Sequence, residues 1–438
     1  NYSVDEARKV QLRGGVGHFV GRIPWVMVSN SFGSSGVGRG NETLIAGIPS
    51  LSNYLTNSFD PKNPIGAVAS VTVTRPDINL VRYKLNDPSV WRGNAALDVA
   101  LDTIGRTFTV EAIHTRASAA LFIQNLNLKP RFVGLDGRQI FSGAPSPTAT
   151  TLHPEFANVY AVSNIKEGQS TYVSVGLNRP MKKSWSYNLT YTKGEAEDAL
   201  PLGETTAGSQ FGRNAIFNQN TVEVSRSAFE VSDRIQLSLA REFKFFRDWK
   251  TTVSLYYEGR TGNPYTFTYT NDTNADGVTG NDLVYVPTGV TDPVFSSPTM
   301  TAAYAQAYMN YVDQSELARY KGGVAPRHAF TQPWTNRLDL HVSQTIGIYK
   351  PAELEIFADF INFGAWLSKD LFGYYEILRS GSSDNELAVV KQLGAAAYDA
   401  TSRQLLITPA ASFATPAFPT PDNELSRWRI QFGARLRF

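Results

Sequence analysis

The chain has no cysteine, which excludes disulfides, thiolate metal sites and iron–sulfur ligation together. It is also poor in charge: 18% of its 438 residues are Asp, Glu, Lys or Arg, and 41 basic residues nearly balance 39 acidic ones for a net charge of +2. That balance excludes a strongly basic nucleic-acid binder and an acidic disordered tail, so no nucleic-acid partner is expected. No run approaches the 18 or more consecutive apolar residues of a membrane helix. Mean hydropathy is -0.23. Water-soluble proteins share such a value with transmembrane β-barrels, whose strands are apolar on one face only.

Recognisable catalytic signatures are missing too. The five histidines, His18, His114, His153, His328 and His341, show neither H-x-x-x-H nor H-E-x-x-H spacing. There is no G-x-S-x-G elbow and no Walker loop, and GVGHFVG from Gly15 has the wrong spacing for a dinucleotide site. No enzyme is expected. The opening stretch NYSVDEARKVQLRGG lacks the basic and apolar regions of a signal peptide. Either a signal has been removed, or the sequence starts partway into a larger protein.

What the sequence does have is strict alternation. In RWRIQFGARLRF, Trp428, Ile430, Phe432, Ala434, Leu436 and Phe438 share one side, and Arg427, Arg429, Arg435 and Arg437 share the other. This period-2 pattern marks a strand with one apolar face. It recurs in KVQLRGGVGHFV, WRGNAALDVALD, TFTVEAIHT, TYVSVGLN, SWSYNLTYT, DRIQLSLARE, TTVSLYYEG, TNRLDLHVSQTIGI and ELEIFADF. About ten strands result, each near the 9–11 residues that a tilted membrane strand needs.

Their connections alternate between turns of a few residues and long segments at about 21–90, 129–168, 195–231, 271–333 and 363–425. Segments of that length count against a compact soluble domain or sandwich, and suit a barrel with short periplasmic turns and long extracellular loops. The fold class expected is therefore all-β, an antiparallel transmembrane barrel in the bacterial outer membrane. All seven tryptophans support it by position. Trp185 and Trp249 fall at short-turn ends, and Trp25, Trp91, Trp334, Trp366 and Trp428 at long-loop ends, as aromatic belts at the two edges of outer-membrane lipid would require. An arginine facing lipid at the midplane costs about 2–4 kcal/mol, so Arg427, Arg429, Arg435 and Arg437 must face the lumen. Asp339, Glu353, Glu355 and Asp359 share that parity and are their expected partners in a charge lattice.

With these strands in order, the chain resembles the C-terminal part of a TonB-dependent outer-membrane receptor, most like the Oar-like group with a carboxypeptidase-like N-terminal extension. RGGVGHFVGRIP (Arg13–Pro24), DTNADGVTGNDLVYVP (Asp272–Pro287), LNDPSVWRGNAALDVAL with FTVEAIHTRA, and the final RWRIQFGARLRF carry the resemblance, which covers essentially the whole chain. It implies a 22-stranded barrel of which about ten strands are here, a plug domain and TonB box in the N-terminal part, and TonB-energised import of a substrate of unknown identity. It also implies that the last strand, with Trp428, Ile430, Phe432, Leu436 and the terminal Phe438, is read by the outer-membrane assembly machinery.

Two features remain open at this stage. DTNADGVTGND offers Asp272, Asn274, Asp276, the Val278 carbonyl and Asp282 in the manner of a D-x-N-x-D-G calcium loop, but Leu283 stands where the bidentate Glu belongs. A calcium-stabilised extracellular loop and a plain Asx-rich turn both fit. The aromatic stretches Pro24–Gly33, Tyr304–Gly323, which has helical spacing, and Leu371–Gly381 suit substrate capture, or packing of the loops into a rigid cap. The rival functions are a plug-free pore and a structural protein whose loops attach a surface partner.

Overall fold

The computed structural model describes residues 2–4, 9–33, 41–44, 71–102, 105–141, 151–245, 249–295, 301–349, 352–374, 390–392, 395–408 and 426–438. Ten long strands form one antiparallel wall: β1 (Val10–Val20), β2 (Ser89–Ala100), β3 (Thr107–Asn125), β4 (Gln169–Lys182), β5 (Trp185–Asp198), β6 (Asp233–Phe243), β7 (Lys250–Arg260), β8 (Thr335–Tyr349), β9 (Ala352–Ile361) and β10 (Arg429–Arg437). Each pairs with its neighbours in sequence. These are the ten strands that alternation picks out.

Register follows from the apolar stripes. Val10, Val99, Phe108, Leu177, Leu189, Leu237, Tyr257 and Leu338 lie side by side in one unbroken row across eight strands. A second row, Tyr187, Leu239, Leu255, Leu340, Phe360 and Ile430, continues it to β10. A one-residue slip anywhere would move a whole stripe to the other face, so the stripes lock the pairing. On the opposite face Ser186, Ala240, Ser254, His341, Asp359 and Gln431 make the matching polar row. An open hollow of about 490 Å³ lies against this polar face, lined by Asn178, Asn188, Ser238, Tyr256 and Asp339 among others, which makes it the concave side. On the other side, Leu189, Val175 and Phe432 are exposed, Phe432 at 78%. An exposed apolar belt on the convex side is the surface a bilayer covers.

Two glycines show how tightly the wall is set. Gly433 lies opposite Phe357, and a Cβ on it would sit 2.2 Å from the Phe357 ring. At Gly262 a Cβ would lie 2.4 Å from the Pro333 carbonyl. β7 ends at Arg260, two residues before this close approach and earlier than the expected loop start near 271. Elsewhere the wall outruns the expected borders, as β5 continues to Asp198. No pairing joins β10 to β1 among the described residues, and only Tyr2–Ser3 adds to the outer side of β1.

The hydrophobic core lies in the long connections. Tyr265, Phe267, Tyr269, Val284, Phe295, Tyr308, Leu317, Phe330, Tyr398 and Leu405 form one buried cluster. Its frame is the strand Pro264–Thr268, paired antiparallel with Phe330–Thr331 and parallel with Val390–Gln392. The helical spacing after Tyr304 appears as the helix Ala302–Gln314, capped by Thr301, and a 3-10 turn at Glu316–Tyr320. A second cluster joins Met27, Leu121, Phe122, Tyr160 and Phe211. Met27 belongs to a short helix, Trp25–Gly33, in a stretch expected as loop. Of Leu371–Gly381, only the residues to Tyr374 are described.

Candidate functional site

The long connections are tied together at Arg138, which follows the Gly134–Gly137 turn between two short paired strands. Its side chain is wholly buried. Arg138 donates from Nη1 to Asp282 Oδ1 at 2.9 Å and from Nε to the Tyr398 hydroxyl at 3.2 Å. It also donates to the Leu283 carbonyl and lies over the Phe217 ring at 4.6 Å. Asp136 is 3.7 Å away. Burial alone would lower the Arg138 pKa, but Tyr398, Asp282 and Asp136 around it raise it overall, so the charge stays. One guanidinium therefore joins the connections that follow β3, β5, β7 and β9.

Next to it is the Asp272–Asp282 loop. Asp272 accepts the N–H groups of Asp276 at 3.0 Å and Gly277 at 2.8 Å. Asn274 Oδ1 accepts the Asp276 N–H, while its Nδ2 donates to Asp276 Oδ2 at 3.0 Å. Asp276 Oδ1 in turn accepts the Val278 N–H at 2.8 Å, and Asp282 Oδ2 accepts that of Thr273 at 2.7 Å. Gly277 takes φ +92°, the left-handed turn that a glycine allows without strain. Burial pushes Asp282 up to about 6 despite Arg138. Burial, followed by the charges of Asp282 and Asp272, lifts Asp276 far above the usual carboxylate range. Among the described residues no group of three or more His, Asp or Glu side chains is arranged to hold a metal ion. The hydrogen bonds are those of an Asx-rich turn, with Asp282 held by Arg138.

Along the polar face the charge lattice forms in part. Glu355 accepts Arg437 at 3.0 Å and Arg435 at 3.4 Å. Asp339 takes Arg337 at 2.8 Å, and Asp359 takes His341 at 2.5 Å. Glu353 stands across from Arg437 in register, but Arg437 reaches Glu355. Arg427 and Arg429 have no ion pair among the described residues, against expectation. The register explains why: Arg429 faces Ile361, past the last acid of β9. Both arginines instead line a cavity of about 260 Å³ at the long-connection end, together with Arg260, Arg337, Glu258 and Tyr374.

The tryptophans keep to the strand ends. Trp185 begins β5 beneath the Arg241 guanidinium at 4.5 Å, and Trp249 precedes β7. Trp91 in β2 lies 4.9 Å from the His18 ring, and Trp334 and Trp428 immediately precede β8 and β10. Trp25 and Trp366 lie in short helices just beyond β1 and β9. Trp428, Ile430, Phe432, Leu436 and Phe438 are all exposed. Sequence reading missed Arg138, whose LDGRQ context signals only a turn. It also missed Arg260, whose even position in β7 carries the polar-face parity and was there to be used.

A family model described as outer membrane beta barrel domain matches residues 1–364. No curated protein matches the chain.

Proposed function

The chain belongs to the outer membrane beta barrel domain family and is a protein of the bacterial outer membrane, and from that premise we propose that it forms barrel wall and external cap of a TonB-dependent receptor of the Oar-like kind. The observation that carries this reading is the joining of a polar concave wall to long connections that fold into their own hydrophobic core at one end. On this reading the long-connection end faces the cell exterior and the four short turns face the periplasm. Among the described residues β10 has no partner on its outer side and β1 has only Tyr2–Ser3; such edges support a larger barrel, because an open sheet edge is not tolerated in hydrocarbon. Further strands would complete it around a plug. The cap would bind a substrate from outside, and TonB-driven movement of the plug would admit it.

The experiment is a binding measurement between the full-length protein in detergent and the soluble periplasmic domain of TonB, paired with substrate uptake in cells with and without TonB. Saturable binding and TonB-dependent uptake are expected. Steady ion conductance in planar bilayers without TonB binding would favour a plug-free pore. Stoichiometric recovery of a surface protein with no uptake would favour a structural role, which the self-contained core of the cap also suits.

A further inference from the structure

We propose that the 260 Å³ cavity at the long-connection end of β7, β8, β9 and β10 binds the oxyanion group, carboxylate or phosphate, of a small ligand. Four arginines line it: Arg260 at the end of β7, Arg337 near the start of β8, and Arg427 and Arg429 at the start of β10. The lining carboxylate, Glu258, is already held by Arg234 at 3.0 Å, and Arg337 is held by Asp339 at 2.8 Å. Arg260, Arg427 and Arg429 have no acidic partner among the described residues. Three positive charges without a carboxylate partner thus belong to the lining of one cavity, where a bound anion would offset them. The planar guanidinium forks match the paired oxygens of carboxylate and phosphate.

The cavity is also held in shape before any ligand arrives. Tyr374 is part of its lining, and its backbone N–H donates to Ser426 Oγ at 2.9 Å, next to Arg427. The Tyr374 hydroxyl accepts from Asn263 at 3.1 Å, and Asn362 donates to the Ser426 carbonyl at 3.0 Å. These bonds tie lining residues Tyr374 and Asn362 to Ser426, beside Arg427, which lowers the ordering cost of binding. The volume is below the usual range of about 300–1,000 Å³ for drug-sized ligands. It fits a small acid whole, or the anionic end of something larger. Phe372 and Tyr374 supply an aromatic wall for the rest of such a molecule.

This inference deepens the receptor reading, on which it rests for the side from which the ligand comes. Binding to purified protein needs no TonB, so the two can fail separately. The test is calorimetric titration of the full-length protein in detergent at low salt with citrate, with inorganic phosphate and with uncharged glucose. At least one anion is expected to bind saturably and glucose not at all. The Arg427→Gln/Arg429→Gln variant should weaken that binding at least tenfold, whereas Arg106→Gln, at a short turn, should leave it unchanged. Binding of citrate alone assigns a carboxylate, and of phosphate alone a phosphate. Circular dichroism and the unfolding temperature confirm that each variant is folded. No binding of either anion to the wild-type protein overturns the proposal, as does equal binding to the double variant. If the double variant loses thermal stability while the wild type binds neither anion, the arginines are neutralised within the protein itself, which also overturns it.

Discussion

Arg138 and Asp282, 144 positions apart in sequence, meet at 2.9 Å with both side chains wholly buried. That contact joins the connection after β3 to the connection after β7, and the same guanidinium also meets Tyr398 and Phe217. A buried ion pair is not in itself strong evidence of stability, because desolvation offsets much of the attraction. Removing one partner is another matter.

Arg138→Met should leave Asp282, Asp136 and Tyr398 buried around no cation, at a cost of about 3–5 kcal/mol to the cap. Hydrogen exchange should rise in residues 132–140, 214–218, 271–285 and 395–405. Exchange in β4, β5 and β6 should stay as it was. Unchanged exchange in all four cap segments would contradict the tie.

The calcium reading of Asp272, Asn274, Asp276, the Val278 carbonyl and Asp282 expects added millimolar calcium to slow exchange across 272–282, and chelator to reverse it. Asp276→Asn should abolish the response. A loop whose exchange is indifferent to calcium and chelator is held by its hydrogen bonds and Arg138 alone.

His328 gives the cap a dependence on acid. It donates from Nδ1 to the Arg226 carbonyl at 2.8 Å, and burial, followed by the Arg327 charge, pushes its pKa down to about 3. Below about pH 6.5 the unfolded segment takes up a proton that the folded one refuses, so stability falls as the pH drops from there toward 3. The slope is at most about 1.4 kcal/mol per pH unit from this one group. His328→Asn, which keeps a donor and tolerates the φ of 55° found there, should flatten the wild-type slope. Equal acid sensitivity of cap exchange in both proteins would refute the assignment.

Gly433 and Phe357 make a matched pair across β9 and β10. Gly433→Val should lower the unfolding temperature in detergent by several degrees, because its side chain needs the space of the Phe357 ring. Phe357→Ala in the same protein should recover part of the loss, a coupling that a double-mutant cycle reads directly.

The wall was legible because a half-buried strand must alternate, and all ten strands appear where alternation puts them. The apolar rows then fix the register without further information. The cap was not legible in the same way. Its core gathers Tyr265, Tyr308, Phe330 and Leu405 from segments far apart, and no local period records such meetings. The lattice fell between these cases. Parity put Glu355 and Arg437 on one face, but the stagger of the strands decided that Arg429 would meet Ile361 and not an acid.

The central claim is that the convex stripe faces lipid and the concave polar face lines a lumen. Because the chain has no cysteine, single-cysteine variants along β9 test it directly in outer membranes. At Glu355, Phe357 and Asp359 a small, water-soluble maleimide should react, and a spin label should relax with a polar quencher. Cysteines at Ile356, Ala358 and Phe360 should resist the maleimide, and their spin labels should relax with oxygen dissolved in the bilayer. Alternation in this phase over all six positions is the predicted result, and uniform reactivity or the opposite phase would contradict the account.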